Sequence, residues 1–519
     1  MIPLISKEDF GLLFLCVFLK KSEKHYVTYY KVKMDQCNIL NENNQNNRFN
    51  LKNKNKKRPK RKAKKNYVNL LPVEIWLKIF TYCDQSSLKN LKMACFTFYQ
   101  IIDSNANLEV MNRGLANLPS EIILSVFSYL KKSDLARCAR VCRRFRDLTQ
   151  AECLWMPEAK TSLVTNNCHP EMVQRSVASW ISAKDRVRIS QNWIRANYNE
   201  AQLLVQDIKY MPRIQIDAET IWVSWGAQVW AHPRRADGTV CRTASQVLRG
   251  HSDDVSRFVV KNGLIVSGGR DKTLVGWTQG ANRHSYEFKF ARRYCHGSEV
   301  SAVDVADRGS IVISGSRDQS VKIWKVGQDH IIPVSNINIG DRVWSLATSE
   351  QDCVAVGSAG LYGIPSLTLL DLATGVKQDI GAGLRRGAGM LDLTWIDPTK
   401  FLSCGYDSFA RLWDIRSGTC VLKWEEPFNE AIYCMSHDFN NTLVCGTARH
   451  GLVRLWDMRS TAPVQMYHVK HPRWGQSSPV YSVAFDPANL YVALDQSLSL
   501  VSFSARKSQH QNNKVVYYR

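Results

Sequence analysis

One recurring position constrains the fold of this chain more than any other feature. An aromatic or large apolar residue returns at Trp230, Trp277, Trp324, Leu370, Trp413, Trp456 and Phe503, at separations of 47, 47, 46, 43, 43 and 47 residues. Around each recurrence the texture is the same: short runs of β-branched and aromatic residues broken by Gly, Asp, Ser and Asn, as antiparallel strands and their turns read. A unit of this length cannot bury its own hydrophobic face, so neighbouring units must stack. Seven such units, each a four-stranded sheet, predict a closed seven-bladed propeller over residues 201–505. Ring closure needs a partner for the last sheet. The apolar segment AQLLVQDIK, residues 201–209, is placed to pair with the strand ending at Phe503, because an open seam would expose a ladder of backbone groups.

Two repeats carry a full polar set, His251, Ser267, Asp271 and Trp277, then His296, Ser314, Asp318 and Trp324. With the WD-like dipeptides that end several repeats, they resemble the WD40 family. That resemblance assigns these residues to a structural hydrogen-bond chain in which a turn aspartate accepts from backbone N–H and an imidazole. Asp407 and Trp413 keep part of the set in the fifth repeat, Trp456 remains in the sixth where His450 replaces the turn aspartate, and the fourth repeat inserts GLYGIPS at this turn. A catalytic Ser-His-Asp reading fails, since the triplet recurs at the blade period where the scaffold needs it.

Upstream, LPVEIWLKIFTYCDQSSLKNLKMACFTF from Leu71 recurs as LPSEIILSVFSYLKKSDLARCARVCRRF from Leu118, with 11 of 28 positions identical. In each copy a Leu-Pro-x-Glu start puts Pro at the head of a helix and a carboxylate in its first turn, both favourable for initiation. Apolar residues then follow at helical spacing, so each copy predicts a small helical unit with an apolar face in want of a partner. The second copy, residues 117–160 with closing Leu154 and Trp155, resembles the F-box. The first, residues 70–108, departs from that pattern at Cys83, at Leu108 and at CFTFY in place of CRRFR, and reads as a degenerate F-box-like unit.

The net charge of +23 is concentrated at one end: residues 1–66 hold 17 Lys/Arg against 5 Asp/Glu. Ten of the fourteen residues 52–65 are basic, which predicts a disordered N-terminal segment and a nuclear-import signal or non-specific nucleic-acid arm. The fifteen cysteines are scattered without C-x-x-C pairs, as expected of a reduced intracellular chain in the cytoplasm or nucleus. Cys138 and Cys142 read as buried small hydrophobes rather than ligands. The apolar run of residues 11–19 is too short to span a bilayer and is followed by Lys20 and Lys21 without a small-residue cleavage site, so neither membrane insertion nor secretion is expected. Met34 opens a polar stretch typical of an N-terminus, which would leave residues 1–33 outside the natural protein. Residues 161–200 read as a helical linker and 506–519 as a tail.

The second F-box, RISQNW from Arg188, and the strings DRVWSLA, FLSCGYDSFARLWDIR, WEEP, GLVRLWD and SSPVY together resemble the dactylin family of F-box/WD-repeat proteins over residues 117–504. The fold class expected is thus α+β multidomain, a small duplicated all-α F-box unit followed by an all-β seven-bladed WD40 propeller. The resemblance implies a non-catalytic substrate receptor without cofactors or metals. Its F-box would bind the Skp adaptor of a cullin-RING ubiquitin ligase, and its propeller a protein bound for proteasomal degradation. Matched motif to motif, the adaptor-binding residues are Leu118, Pro119, Glu121, Ile122, Ile123, Val126, Phe127, Leu130, Leu135 and Trp155. The substrate-binding residues are Arg270, Arg317, Tyr406 and Arg449 before the blade turns, with Trp344, Tyr433 and Tyr481 on the innermost strands. Ser256, Ser301 and Leu391 hold the equivalent inner-strand places. Three guanidiniums beside three rings would suit an acidic or phosphorylated peptide, although pairing with acids on the rim is the alternative use of those arginines. Two rival functions are a scaffold without a ligase role and a nuclear nucleic-acid-associated protein acting through the basic tail. The body of the chain lacks P-loop, Rossmann, H-E-x-x-H and nucleic-acid-binding signatures.

Overall fold

The computed structural model of the protein describes residues 118–505, except 166–168, 179, 282–284, 382 and 474–476, together with Leu77 and Gln100. The first F-box-like copy apart from Leu77 and Gln100, the basic run 52–65 and the tail 506–519 lie outside the described residues. Within the described part the chain forms a cluster of helices and then seven four-stranded antiparallel sheets. Blades 1 to 6 take residues 214–249, 255–292, 300–338, 343–379, 390–425 and 432–468 in order. Blade 7 is composite: residues 482–502 supply three strands and Asn199–Val205 supplies the fourth, running antiparallel to Ser497–Ser502 from Asn199 opposite Ser502 to Val205 opposite Ser497. The closing strand is the expected one, beginning two residues earlier than the apolar pattern indicates, and it joins the first and last turns of the ring.

Each blade's second strand is a nearly unbroken apolar run, as in Leu264–Gly269 and Thr442–Thr447, all buried, because it is sandwiched between the neighbouring blades. The turn after it is tight. Lys272, Gln319 and Ser408 take left-handed backbone, with φ of 62°, 71° and 64°, directly after the turn aspartates. The aspartates offset that local strain by accepting backbone N–H groups, Thr273 on Asp271 at 3.1 Å and Ser320 on Asp318 at 3.0 Å.

The polar chain is complete in blade 3. Trp324 Nε1 donates to Ser314 Oγ at 2.8 Å, which meets His296 Nε2 at 2.8 Å, while His296 Nδ1 reaches Asp318 at 3.0 Å. In blade 2, His251 bridges Ser267 at 2.7 Å and Asp271 at 3.0 Å, with Trp277 buried behind them. In blade 5, Trp413 donates to Ser403 at 2.9 Å, and Asp407 pairs with Arg411 at 2.5 Å where blades 2 and 3 use histidine. Trp456 departs from the expectation. Cys445 occupies the place of the serine, so the buried indole N–H of Trp456 is without a hydrogen-bond partner among the described residues.

Among residues 118–205 as described, six helices precede the ring: α1 Ser120–Ser128, α2 Lys132–Cys138, α3 Arg143–Leu148, α4 Glu152–Ala159, α5 Pro170–Arg175 and α6 Ala183–Ile194. The first four bury Ile123, Val126, Phe127, Leu135, Cys138, Phe145 and Trp155, with Phe127 and Phe145 edge to face at 5.2 Å. Cys142 is only part-buried and caps α3, its thiol accepting the N–H of Phe145 at 3.4 Å. Arg144 Nη2 reaches back to the carbonyl of Leu118 at 2.7 Å and to Ser120 Oγ at 3.1 Å, fixing the Leu-Pro entry to α1. In the first copy the sequence has Thr97 at the aligned position.

The segment expected to be a helical linker is welded to the propeller. Both carboxylate oxygens of Glu152 accept the first N–H of α6, and buried Arg186 donates to the carbonyls of Ala159 and Thr165, tying α6 to α4. On the other side, Trp193 is fully buried against blade 7. It stacks on Phe503 at 3.9 Å, donates to the carbonyl of Pro487 at 3.0 Å and accepts on its own carbonyl from Tyr467 Oη at 2.8 Å. Asn192 donates to the carbonyl of Phe503, Arg188 to those of Ser504 and Ala505, and His169 stacks on Phe439 of blade 6.

Candidate functional site

The inner-strand residues matched to the rim share a backbone device. The innermost strands of blades 2 to 6 each slip register at their second residue, between Val255 and Arg257, Val300 and Ala302, Val343 and Ser345, Met390 and Asp392, and Ile432 and Cys434. The extra residue is Ser256, Ser301, Trp344, Leu391 or Tyr433. A bulge leaves its residue unpaired and re-aims its side chain. The pattern therefore turns one side chain per blade out of the alternation that would otherwise bury it between blades.

From blade 4 to blade 7 the bulge residues Trp344 and Tyr433, the turn residue Tyr406 and Tyr481, just ahead of the first strand of blade 7, form a continuous arc of four rings. Trp344 and Tyr406 meet at 5.3 Å between centroids, Tyr406 and Tyr433 at 6.0 Å, and Tyr433 and Tyr481 at 6.1 Å. The first two contacts are edge to face and the third is tilted, arrangements that are favourable at these distances and rigidify the rings. Gly389 is required behind them, because a Cβ there would stand 2.2 Å from the Trp344 ring. Burial pushes the Tyr433 hydroxyl up to about 12, with further help from Tyr406, and raises Tyr481 as well, so both phenols are neutral donors at physiological pH. Tyr406 is the most open of the four, at 43% exposure, and Leu361 and Tyr362 stand exposed on the GLYGIPS loop.

The three rim arginines are not free. Arg270 pairs with Asp254 at 3.4 Å, Arg317 with Glu299 at 2.7 Å and Arg449 with Glu430 at 3.7 Å. Each acid lies just before the innermost strand of the arginine's own blade. The arginines belong to blades 2, 3 and 6, the rings to blades 4 to 7. Each of the three arginines thus has an acid at hand, the alternative use expected of them, and Arg449 alone shares its blade with a ring of the arc, Tyr433. The acids were visible in the sequence as Asp or Glu one or two residues ahead of the inner strands at Val255, Val300 and Ile432.

At the other end of the chain the structure divides the ten residues matched to adaptor binding. Ile123, Val126, Phe127, Leu135 and Trp155 point into the helical core, and Trp155 Nε1 is spent on the carbonyl of Thr149 at 2.8 Å. They hold the unit together and are not available to a partner in this arrangement. Leu118 is largely covered, whereas Pro119 and Glu121 are exposed and Ile122 and Leu130 partly so. Helix α1 is apolar over most of its circumference, which is why spacing alone did not separate its two faces. Among the described residues, no group of three His, Cys, Asp or Glu side chains is arranged to hold a metal ion, and no helix is long and apolar enough to cross a membrane.

Residues 115–156 match the F-box-like family model, residues 68–109 the F-box domain model, and residues 288–325 and 418–457 the model of the WD domain, G-beta repeat. The chain is 35% identical over 374 residues, 71% of its length, to F-box/WD repeat-containing protein 4 of Mus musculus, of which it covers 88%. It is 34% identical to the protein of the same name from Homo sapiens, covering 87% of it. The chain belongs to the F-box/WD repeat-containing protein 4 family. A guanine nucleotide-binding protein subunit beta from Arabidopsis thaliana is 24% identical over 264 residues, 48% of this chain and 66% of that protein. Within the family assignment, the first F-box copy earns its own match despite its departures at Cys83, Leu108 and CFTFY.

Proposed function

We propose that the protein is the substrate-recognition subunit of a Skp-cullin-F-box ubiquitin ligase. The exposed part of the second F-box, Pro119, Glu121, Ile122 and Leu130, binds the adaptor, and the rim of the propeller binds the protein to be ubiquitinated. The chain supplies no bond-making group of its own. It contributes proximity, holding a target lysine near a ubiquitin-charged enzyme for a reaction that depends on effective concentration. The observation that carries this reading is the weld through α6. A buried tryptophan on blade 7 and a buried arginine on α4 belong to the same helix, so F-box and propeller are held at a fixed separation. A flexible tether would spread the target over a large volume and dilute that proximity. Working in the cytoplasm or nucleus, such a receptor would deliver its target to the proteasome.

The test is capture of purified Skp adaptor and cullin by the full chain, followed by ubiquitin transfer to proteins retained on the propeller. Capture of the adaptor at low micromolar concentration or better is the expected result. A chain that folds and binds no adaptor overturns the ligase reading and leaves a scaffold.

A further inference from the structure

The rim of blade 4 differs in charge from those of blades 2, 3 and 6. The GLYGIPS insertion, residues 360–366, occupies the place of the tight aspartate turn. Three hydrogen bonds lace this stretch to the entry of the blade and to the connection that leaves it. Ala359 N–H donates to the carbonyl of Arg342 at 3.0 Å, Gly387 N–H to that of Gly360 at 2.9 Å, and Arg386 Nε to that of Leu361 at 2.9 Å. The connection turns back over Arg385–Ala388, where Ala388 N–H reaches the carbonyl of Arg385 at 3.0 Å. Arg342, Arg385 and Arg386 are thereby gathered on one segment of the rim, all three exposed. Unlike Arg270, Arg317 and Arg449, none of the three has an acid within ion-pair distance among the described residues. The laced stretches, residues 341–344, 359–366 and 385–389, contain one acid, Asp341. It is fully buried and committed to the backbone, one oxygen accepting the N–H of Arg342 at 2.7 Å and the other that of Leu361 at 3.0 Å. Apolar surface borders the arginines: Tyr362, 57% exposed on the insertion, and Trp344, two residues after Arg342 and the first ring of the arc.

We propose that the rim of blade 4 docks an unphosphorylated acidic segment of the protein target, a run of Asp and Glu whose carboxylates meet Arg342, Arg385 and Arg386 and whose flanking apolar residue rests on Trp344 and Tyr362. The inference rests on the substrate-receptor reading and deepens it by naming the chemistry of the target segment. Charge complementarity selects the occupant. This chain's own terminal segments do not fit, since residues 1–66 hold 17 Lys/Arg against 5 Asp/Glu and residues 506–519 hold 4 Lys/Arg and no acid. A second copy, at a net charge of +23, is repelled as a whole. A guanidinium offers a planar fork that matches the two oxygens of a carboxylate. Arg342 enters from the strand and Arg385 and Arg386 from the connection, so they are separate points of attachment, which suit carboxylates spaced along an extended segment better than a single phosphate. One exposed pair is weak, so binding needs several pairs together with apolar contact, which flat rings supply at small entropic cost. Nucleic acid would ask for a basic groove that tracks its backbone, whereas the adjoining rim of blade 3 carries the neutral pair of Arg317 and Glu299.

The experiment uses the full chain bound to its Skp adaptor and three fluorescein-labelled peptides flanked by Gly-Ser: Glu-Asp-Glu-Phe, Gln-Asn-Gln-Phe and Gln-phosphoserine-Gln-Phe, with a labelled oligothymidine as a further probe. Fluorescence anisotropy at low salt is expected to give the acidic peptide at least about tenfold tighter binding than the amide peptide, the scale of three exposed ion pairs acting together, and the difference should shrink at high salt. Arg342→Gln/Arg385→Gln/Arg386→Gln should remove the preference, while Arg235→Gln/Arg242→Gln, which takes exposed arginines from blade 1, keeps it. Arg342→Gln alone should weaken the acidic peptide about twofold and decides the matter even if the triple variant fails to fold. Equal binding of the acidic and amide peptides, no binding of any probe, tighter binding of the phosphoserine peptide or of the oligothymidine than of the acidic peptide, or a preference that survives the arginine variants would each overturn the dock. If the adaptor is not captured but the chain alone shows a preference that depends on these arginines, the ligase reading fails and the dock stands.

Discussion

Removing the Trp193 side chain tests whether the weld is what fixes the F-box to the propeller. The indole is fully buried, stacked on Phe503 and edge-on to Tyr467 and Phe485, at 5.7 and 5.9 Å between centroids. Trp193→Ala deletes that contact and leaves a cavity, a change that costs about 3–5 kcal/mol when the surroundings do not collapse. The carbonyl of Pro487 also loses its donor, which adds about 1 kcal/mol or more for a buried acceptor. A loss of roughly 5 kcal/mol lowers the docking equilibrium of α6 by more than three orders of magnitude.

The damage should stay local at first. Helix α6 leads into the closing strand Asn199–Val205, but that strand's register with Ser497–Ser502 does not involve Trp193. Hydrogen exchange of the full chain should therefore show loss of protection across residues 183–194 before the closing strand and the rest of the ring, with a fall in Tm. Adaptor capture should survive, since the exposed face of α1 is untouched, while ubiquitin transfer to a bound target should fall. Wild-type protection of α6 together with an unchanged Tm in Trp193→Ala would refute the weld. Loss of adaptor capture in a chain whose helices α1–α4 remain protected would also refute it.

The same geometry sets further expectations. A truncation starting at Arg213 removes the fourth strand of blade 7 and should be aggregation-prone, whereas one starting at Ser182, which keeps the N-cap of α6, should melt cooperatively; equal melting of the two would remove the closing strand's role. Ile122→Asp with Leu130→Asp should abolish adaptor capture with little change in Tm, while Phe127→Ala should lower the stability of the helical unit by about 3–5 kcal/mol in denaturant titration. Cys445→Ser should give the indole of Trp456 the acceptor that Ser314 and Ser403 provide in blades 3 and 5, raising Tm by roughly 2 °C. Burial, then the charges of Arg175 and His169, hold buried His437 at about 3, with the N–H of Phe439 on Nδ1 and Thr394 Oγ1 on Nε2. As pH falls below about 6.5 the unfolded chain gains a proton there that the folded chain refuses, so stability is lost, by roughly 2 kcal/mol at pH 5, and His437→Gln should flatten that part of the profile.

How much of this was legible in the sequence depends on the range of the interaction concerned. The blades were legible because each strand advertises itself locally, and the repeat at Trp277, Trp324, Trp413 and Trp456 multiplies a weak signal. The closing strand was legible because an unpaired edge has a general cost. The sidedness of α1 was not, since Ile122 and Ile123 differ only in which neighbours they meet. The pairing of Arg270, Arg317 and Arg449 with acids 16, 18 and 19 residues upstream was legible as the alternative use of those arginines, because an inner-strand start and a blade turn share one rim.

The weld was hidden for a deeper reason. Helix α6, which ends in RISQNW, reads as a polar surface, yet Arg186, Asn192 and Trp193 all spend their polar atoms on backbone carbonyls that the helix and strand ends leave unsatisfied. The weld forms where the ring is joined, beside the composite blade 7. The join is where the repeat leaves the sequence free to vary, and in this chain it holds the attachment of the F-box.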